Sequence, residues 1–232
     1  MEFKNEIGLI QRRMAASIAG TSRRLEILNA LDIESGQYVL DIGCGGGHLL
    51  EEIAKAVGPE GKAYGLDTSE DQLNQARKRC SLYKNVFTIK GYANQINLEN
   101  NSCDSICSVQ TFEYIDNVDD SIKELTRILK PSSIFVNISI LWEYYKFFGA
   151  DEELNKTIHD TFKAHCFHQM LPTSLEGKLK KFGFKNININ RYLCLLQKEM
   201  IILLLNLQRK SLDNLQYNKA YLKLKLMNGN VN

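Results

Sequence analysis

Short apolar segments alternate along the chain with longer segments whose apolar residues recur at helical spacing. The short segments are rich in β-branched residues, which is typical of buried strands. They are predicted as five strands, at residues 38–42, 62–66, 86–90, 102–109 and 134–140. The longer segments are predicted as helices, among them residues 48–57, 119–129 and 171–182. Strands that alternate with helices indicate an α/β fold built on a parallel sheet.

Both ends of the chain carry further elements. Residues 1–34 have apolar positions at helical spacing and are predicted as helices ahead of the sheet, with Thr21 or Ser22 as the N-cap of the second one. Arg12 and Arg13 are expected in solvent. Towards the C-terminus, residues 185–196 alternate partly and predict a sixth strand.

The C-terminal tail, residues 197–232, has a different character. Residues 199–210 are apolar with helical spacing, whereas residues 221–226 alternate between apolar and polar like a lone strand. We expect the tail either to complete the sheet or to contact a second subunit or a membrane surface.

Composition limits the class of protein. The 232 residues fit one domain, and 44% hydrophobic with 24% charged residues is typical of a soluble globular protein. The net charge is only +2 and the basic residues are scattered, so nothing indicates a nucleic-acid partner.

Three further observations predict a cytoplasmic protein. The six cysteines lie far apart with no C-x-x-C pair, which indicates reduced, mostly buried thiols. The first residues show no secretory signal pattern. The longest apolar run, residues 200–207, is interrupted by Asn206 and is far short of the roughly 20 residues that span a bilayer, so no transmembrane segment is expected.

The first predicted strand leads into a glycine-rich turn and then a helix. Asp41 stands near the strand end, and Gly43, Gly45 and Gly47 allow positive φ angles and a close approach of a ligand to the backbone. This arrangement binds nucleotide-like ligands at the carboxyl edge of doubly wound sheets. An acidic neighbour favours a ligand with positive charge or hydroxyl groups over one with phosphates.

Two common glycine loops do not fit this turn. The dinucleotide fingerprint requires glycine or alanine at position 48, where this chain has His48, and the tripeptide G-K-[ST] of the phosphate loop is missing from the sequence. A nicotinamide oxidoreductase is therefore disfavoured. A glycine-rich turn without any ligand remains an alternative at this point.

A second acidic residue ends the second predicted strand. Asp67 follows Asp41 by 26 residues, near the offset of about 20 at which dinucleotide-binding folds place their ribose-binding acid. A carboxylate there can accept hydrogen bonds from both ribose hydroxyls. The alternative is that Asp67 serves only to cap the following helix.

Several segments resemble the class I S-adenosylmethionine-dependent methyltransferases of the ubiquinone/menaquinone type. Residues 39–47, VLDIGCGGG, are similar to the first motif of that family, and residues 65–73, GLDTSEDQL, to its G-x-D-x-S-x-x-M-L segment. The resemblance covers residues 35–185. It implies a doubly wound, mostly parallel seven-stranded, Rossmann-like sheet with an N-terminal helical segment and an inserted lid.

The resemblance also implies a division of one methyltransferase domain, residues 1–232. The N-terminal helices would occupy residues 1–34, the cofactor-binding core residues 35–140, the lid over the acceptor residues 141–171, and the last part of the sheet with the atypical tail residues 172–232.

By the same resemblance, the cofactor would contact the ends of four strands. Asp41 and the glycine turn would face its methionine end, Asp67 its ribose, and residues 92–94 its adenine. The expected contacts are Asp41, Gly43, Cys44, Gly45, Asp67, Thr68, Gln72, Tyr92, Ala93, Asn94 and Gln110.

The chain departs from the family pattern at two places. Tyr92 replaces the aspartate that usually binds the adenine amino group, so its ring is expected to stack on the purine instead, with a loss of cofactor affinity as the expected result. After Leu129-Lys130-Pro131, which resembles the family's turn between helix and strand, Ser132 and Ser133 replace two glycines.

The predicted lid is rich in aromatic residues and holds three of the four histidines of the chain. The resemblance implies a small-molecule acceptor, methylated on carbon, oxygen or nitrogen by in-line displacement in a dehydrated pocket. The aromatic content of the lid predicts that this acceptor is apolar or planar. His165 and His168 are candidates for a general base, with a polar helix surface as the alternative. The His165–His168 spacing with one intervening cysteine is a weak metal pattern, and no metal is expected.

Two other functions compete with small-molecule methylation. Nucleic-acid N-methylation is disfavoured because neither N-P-P-[YFW] nor D-P-P-[YFW] occurs in the chain. A protein that binds S-adenosylmethionine without catalysis stays open as the alternative, because Tyr92 and the tail depart from the family.

Overall fold

The structure is a computed structural model, which describes residues 9, 12–13, 15–144, 151–163 and 166–190. The strands in this part of the chain are β1 (Tyr38–Ile42), β2 (Lys62–Asp67), β3 (Val86–Lys90), β4 (Cys103–Val109) and β5 (Leu129–Ile138). The helices are α1 (Ile18–Leu31), α2 (His48–Val57), α3 (Glu70–Arg79), α4 (Val118–Ile128), α5 (Glu152–Lys163) and α6 (Leu171–Lys181). Single 3₁₀ turns lie at Phe112–Tyr114 and Trp142–Tyr144.

The five strands form one sheet in the order β3-β2-β1-β4-β5, and every pair is parallel. Asp41 lies between Gly65 on β2 and Cys107 on β4. Because the chain order reverses at β1, the loops after β1 and β4 leave in opposite directions and open a crevice at their carboxyl ends, where such sheets bind ligands. The predicted Rossmann-like α/β fold is confirmed.

Of the remaining two strands of the predicted seven, the described residues cover only the first half of one. Residues 185–190, the first half of the predicted sixth strand, form no strand. Its second half and the segment 221–226 lie outside the described residues, and so does the helix predicted at 199–210.

Both faces of the sheet are covered, which explains why its strands read as short apolar runs. Neighbouring residues of a strand point to opposite faces. Leu40 packs in one cluster of buried residues with Ile122 and other residues of α4 and α6. Val39 packs in the second cluster with Ile53 and other residues of α1, α2 and α3.

Helix α1, which corresponds to the second of the predicted N-terminal helices, begins earlier than the sequence predicts. Ser17, not Thr21 or Ser22, is the N-cap of α1, and its side chain accepts a hydrogen bond from the backbone N–H of Gly20 at 3.2 Å. Ser17 has extended φ and ψ angles, as N-cap residues do. All three positions carry a hydroxyl, so residue type alone did not distinguish them.

Strand β5 also begins earlier than predicted. It starts at Leu129, directly after α4, so Leu129-Lys130-Pro131 belongs to the strand and not to a turn. Leu129 pairs with Cys103, and an irregularity follows before Ser105 pairs with Ile134. Within that irregularity Ser132 has a φ of +63°, the left-handed conformation for which glycine is favoured.

The described cysteines lie in the interior, as the sequence predicts. They are Cys44, Cys80, Cys103, Cys107 and Cys166, all buried and none in a disulfide. Burial raises the pKa of the Cys103 and Cys166 thiols to about 11, so both stay protonated at neutral pH. Among the helices that the structure describes, none combines the length and the apolar character needed to cross a bilayer.

Candidate cofactor-binding site

The glycine turn after β1 is fixed against the end of β2. The backbone N–H groups of Gly43 and Cys44 both donate to the carbonyl of Leu66, at 2.8 and 3.0 Å. Gly43, Gly45 and Gly47 have φ angles of +74°, +51° and +79°, as the sequence predicts. The turn therefore presents main chain, without side chains from these three positions, at the carboxyl edge of β1 and β2.

Two of these glycines are required for packing as well as for their backbone angles. A Cβ atom on Gly43 would lie 2.1 Å from the hydroxyl oxygen of Thr111, which follows β4. A Cβ atom on Gly47 would lie 2.8 Å from the Cα of Ala76 on α3. Neighbouring elements thus occupy the space that side chains would take, and the turn has little freedom to move.

Asp67 joins the end of β2 to the glycine turn. One carboxylate oxygen accepts the N–H of Gly45 at 3.0 Å, and the other accepts the N–H of Ser69 at 2.8 Å. Burial raises the pKa of Asp67, and the N–H donors of Ser69, Gly45 and Thr68 oppose that rise by stabilising the carboxylate. A carboxylate has about four acceptor positions, so Asp67 can bind a hydroxyl group in addition to these N–H donors.

Asp41 is a second carboxyl group beneath the same turn. Only 2% of its surface is exposed, and the thiol of Cys107 donates to it at 3.8 Å. Burial, followed by the negative charge of Asp67, raises the pKa of Asp41 to about 7. A cationic ligand nearby would lower that pKa and favour the ionised form. The pair of acids therefore suits a ligand that combines hydroxyls with positive charge.

The outer side of the turn is held by Arg79 and His48. The Arg79 guanidinium donates to the carbonyl of Gly46 at 2.9 Å and lies 3.0 Å from Nε2 of His48. Burial and the positive charge of Arg79 lower the pKa of His48 to about 4, so the imidazole is neutral at pH 7. Since guanidinium only donates, Nε2 is the acceptor.

Arg12 was wrongly expected in solvent. Its side chain is 17% exposed and forms an ion pair with Asp71 on α3 at 3.2 Å. Its aliphatic part covers Gly46 so closely that a Cβ atom there would lie 2.8 Å from Arg12 Cδ. Arg13 is exposed as predicted. The apolar spacing of the N-terminal segment gave no signal that would distinguish the two arginines.

Residues 92–94, predicted to meet the adenine, follow β3 directly. Tyr92 is 71% exposed and Asn94 is exposed, whereas Ala93 is 8% exposed. The N–H of Gly91 donates to the carbonyl of Asp67 at 3.2 Å, which brings this turn beside the predicted ribose site. Thr68 is exposed and Gln72 is buried. The predicted ribose and adenine contacts thus lie next to one another after β2 and β3, with Gln72 in the first turn of α3.

The segment beyond Tyr92 is attached to α4. Arg127 donates to the backbone carbonyls of Leu98 and Ile96 at 2.8 and 3.0 Å. Glu124 accepts the N–H of Ile96 at 2.7 Å and also binds the Arg127 guanidinium. Sequence reasoning missed this anchor, because a Glu–Arg pair on a helix is usually a solvent-exposed pair.

The ends of β4 and β5 form the other half of the edge. Gln110, the remaining predicted cofactor contact, has a φ of +51°, and its N–H donates to Ile138 at the end of β5, at 2.7 Å. Glu113 follows in a 3₁₀ turn and is completely buried. The sequence placed Gln110 among the predicted cofactor contacts but did not indicate that the nearby Glu113 is buried.

Of the two histidine candidates, the structure describes His168, and His165 lies outside the described residues. Nε2 of His168 lies 2.9 Å from the carbonyl of Asp116, and its backbone N–H donates to the carbonyl of Glu113 at 3.1 Å. His168 thus connects the predicted lid to the loop after β4. Within the described residues, no group of three or more His, Cys, Asp or Glu side chains is arranged to hold a metal ion.

These features fit S-adenosylmethionine. The glycine turn presents main chain beside Asp67, which retains acceptor capacity for ribose hydroxyls, and the acidic pair suits the positive charges of the sulfonium and the amino group. The sheet order gives the crevice in which such a ligand lies.

Comparisons with known proteins agree with this site. A family model described as "Methyltransferase domain" matches residues 33–215. The chain is 29% identical over 185 residues to a demethylmenaquinone methyltransferase of Lactobacillus johnsonii, covering 72% of this chain and 76% of that protein. It is 30% identical over 153 residues to an uncharacterized 37.1 kDa protein in transposon TN4556 of Streptomyces fradiae, covering 65% of this chain. The match spans only 44% of the length of that transposon protein.

The fold is also similar to that of solved structures. A SAM-dependent methyltransferase from Aquifex aeolicus superposes with a TM-score of 0.61 at 22% identity, covering 78% of this chain and 90% of that one. Because the family model covers well over half of the residues, it establishes the family without reference to any single relative. The chain belongs to the methyltransferase domain family, and it is an S-adenosylmethionine-dependent methyltransferase that acts on a small molecule.

Proposed function

We propose that this protein transfers the methyl group of S-adenosylmethionine to a small planar acceptor with a hydroxylated aromatic ring, of the quinol type. The hydrogen bond between Asp67 and Gly45 carries the donor half of the proposal, because it builds one ligand site from two strand ends. The similarity to demethylmenaquinone methyltransferases supports the acceptor half.

On the donor side, each proposed contact follows from its position. Asp67 would accept the ribose hydroxyls, and the main chain of Gly43 and Gly45 would lie along the methionine part. Tyr92, exposed beside the ribose site, would place its ring against the adenine. Bound S-adenosylmethionine supplies a methyl group that is already electrophilic, so the residues of the chain need only orient it and exclude water.

On the acceptor side, apolar side chains surround the ends of β4 and β5. Phe112 is completely buried there and Trp142 is 5% exposed, while Phe167 of the predicted lid is 63% exposed. The N–H of Trp142 donates to the carbonyl of Gln169 at 2.9 Å, so the two ends of the segment 141–171 lie together. We propose that this segment forms the lid and that a planar acceptor lies between it and the sheet edge.

The proposal is tested with radiolabelled S-adenosylmethionine and 1,4-naphthohydroquinone as acceptor. We expect a labelled, methylated naphthalene product and, by titration calorimetry, binding of S-adenosylhomocysteine. Binding without transfer to this acceptor or to any component of a small-molecule extract would favour the non-catalytic alternative. Transfer only to an unrelated acceptor, such as an amine, would overturn the acceptor class and leave the donor assignment intact.

Two further predictions from the sequence stay predictions. Self-association through residues 197–232 concerns a tail outside the described residues, and sedimentation of the protein with and without that tail would test it. The cytoplasmic location is supported by the buried thiols of the described cysteines, which show no disulfide.

A further inference from the structure

Glu113 is a buried carboxyl group that the cofactor site does not use. It lies in the 3₁₀ turn Phe112–Tyr114 after β4, with none of its surface exposed. No lysine or arginine in the described part of the chain forms an ion pair with it. Leaving a carboxyl group buried without a cation is costly, so its presence calls for a reason beyond stability.

Only one of the two carboxyl oxygens of Glu113, Oε1, has a hydrogen-bond partner with a defined distance. Oε1 accepts the N–H of Ile140, just after β5, at 2.9 Å, and the hydroxyl of Ser139 also bonds to the carboxyl group. Oε2 has no hydrogen-bond partner among the residues that the structure describes. The carboxyl group is thus held in a fixed orientation, with one oxygen left for a donor that is not part of the described chain.

Three segments of the proposed acceptor site meet at this residue. Its side chain binds the loop after β5, and its backbone carbonyl accepts the N–H of His168 at 3.1 Å and the thiol of Cys166 at 3.5 Å. Cys166 and His168 belong to the proposed lid. Glu113 is therefore enclosed between the sheet edge and the lid, the region that the proposed function assigns to the acceptor.

The surroundings of the carboxyl group set its protonation. Burial raises the pKa of Glu113 to about 7, and hydrogen bonds from its own backbone N–H, from the Ile140 N–H and from the Ser139 hydroxyl moderate the rise. The titratable neighbours are the Tyr114 phenol, the Cys166 thiol and the His168 imidazole, with Asp116 on the same loop. The pKa values of Tyr114 and Cys166 are both raised by burial and by Glu113, so neither competes as a base.

We propose that Glu113 is a catalytic residue, the general base that receives the acceptor's hydroxyl proton at Oε2. The inference rests on the proposed function, and it restricts the acceptor to molecules that lose a proton on methylation. The electron pair released on oxygen, or shared with a ring carbon, forms the new bond to the methyl carbon. The methyl–sulfur bonding pair remains on sulfur, which gives S-adenosylhomocysteine, and after attack by carbon the ring proton passes to the oxygen.

The test compares Glu113→Gln with wild type and with Glu60→Gln, a control at an exposed position between α2 and β2. Glutamine keeps the acceptor for the Ile140 N–H but cannot take a proton. We expect kcat with 1,4-naphthohydroquinone to fall about 100-fold or more, with affinity for S-adenosylhomocysteine changed by less than about twofold. The wild-type rise of kcat through about pH 7 should disappear in this variant and persist in the control.

A Glu113→Gln enzyme with kcat within about threefold of wild type, or with the same pH profile, overturns the inference. If wild type does not methylate the probe, the acceptor class is wrong, and infrared spectroscopy of the S-adenosylhomocysteine complex then decides the role of Glu113. A carboxyl band that titrates near pH 7 in wild type and is missing from Glu113→Gln supports a base open to proton exchange. If wild type shows no such band, the proposal that Glu113 is the general base is overturned.

Discussion

One carboxylate oxygen of Asp67 lies 3.0 Å from the backbone nitrogen of Gly45 and accepts its hydrogen bond. The bond connects the last residue of β2 with the turn after β1. Because the second oxygen binds the N–H of Ser69 at 2.8 Å, Asp67 cannot rotate away from the turn without losing both bonds. The shape of the turn, and with it the proposed recognition of the ribose, thus depends on one side chain.

Replacing Asp67 by alanine should weaken S-adenosylmethionine binding. The change removes a charged acceptor for two hydroxyl groups, worth about 1.5 kcal/mol or more, so Kd should rise roughly tenfold or more. Titration calorimetry measures the change, and circular dichroism checks that the fold persists. Glu60→Ala, which removes an exposed carboxylate elsewhere, should leave Kd unchanged. An unaltered Kd in Asp67→Ala would rule out the ribose assignment.

Removing the ring of Tyr92 should also weaken cofactor binding, by a smaller factor than Asp67→Ala does. Stacking of a base on an aromatic side chain contributes roughly 1–3 kcal/mol, so Tyr92→Ala should raise Kd at least about fivefold. Tyr92→Phe keeps the ring and should bind like wild type. Equal affinities for Tyr92→Ala and Tyr92→Phe would show that the ring does not touch the adenine, and quenching of tyrosine fluorescence on binding gives an independent readout.

Adding one methyl group at Gly43 should disrupt the turn. The new Cβ atom would lie 2.1 Å from the Thr111 hydroxyl, at a φ of +74°. Gly36→Ala is the matched control, because Gly36 has a φ of +92° and a Cβ atom there would meet no other atom within 4 Å. We expect the control to lose roughly 1–2 kcal/mol of unfolding free energy from its backbone angle alone.

In urea denaturation, Gly43→Ala should lose clearly more unfolding free energy than the Gly36→Ala control. Gly43→Ala should also lose S-adenosylmethionine binding. Thr111→Gly in the Gly43→Ala background should recover the part due to the clash. Similar losses for Gly43→Ala and Gly36→Ala would mean that Thr111 moves aside.

Glycine at position 132 should stabilise the protein. Ser132 has a φ of +63°, and a non-glycine residue in the left-handed region costs roughly 1–2 kcal/mol, only part of which the extra chain entropy of glycine cancels. Ser132→Gly should therefore raise the free energy of unfolding by roughly 0.5 kcal/mol or more. Ser133→Gly, where φ is not positive, should lower it. The opposite order in thermal or urea denaturation would contradict the observed angle.

The two raised carboxyl pKa values predict that stability falls as pH rises. Asp41 and Glu113 have pKa values of about 7 when folded, against ordinary values of 3.8 and 4.5. Between those limits the folded chain binds more protons than the unfolded chain, so the free energy of unfolding decreases with increasing pH. Glu113→Gln removes its share of the decrease, on the order of 1 kcal/mol or more.

Urea denaturation near pH 5 and near pH 8 measures this difference. Glu113→Gln should lose less stability than wild type between the two conditions, and Glu60→Gln should match wild type. If Glu113→Gln and wild type fall in parallel, Glu113 has a similar pKa in the folded and unfolded chains.

The sequence was sufficient for the features that depend on local pattern. Strand β3 begins and ends where predicted, and the glycine turn has its positive φ angles because only glycine adopts them readily. The start of β5 was wrong by five residues, since pairing with Cys103 extends the strand through a segment that reads as a turn. Pairing between distant segments is invisible to a local pattern.

The burial and the partners of individual side chains were harder to predict from the sequence than the strands and turns. Nothing in the sequence next to Arg12 or Glu113 marks either residue as buried, because their burial arises only when distant elements meet. Arg12 pairs with Asp71 on α3, and Glu113 binds the backbone after β5. Both contacts join segments far apart in sequence, which no spacing rule connects.

The reversal of strand order at β1 has a consequence for how such enzymes diversify. Most of the proposed donor contacts lie at the ends of β1, β2 and β3, with Gln110 after β4 as the exception, and the proposed acceptor chemistry lies at the ends of β4 and β5. Substitutions in the lid or beside Glu113 can therefore change the acceptor that is methylated without changing the residues proposed to bind S-adenosylmethionine. A library confined to residues 112–115 and 139–171 would exploit that independence.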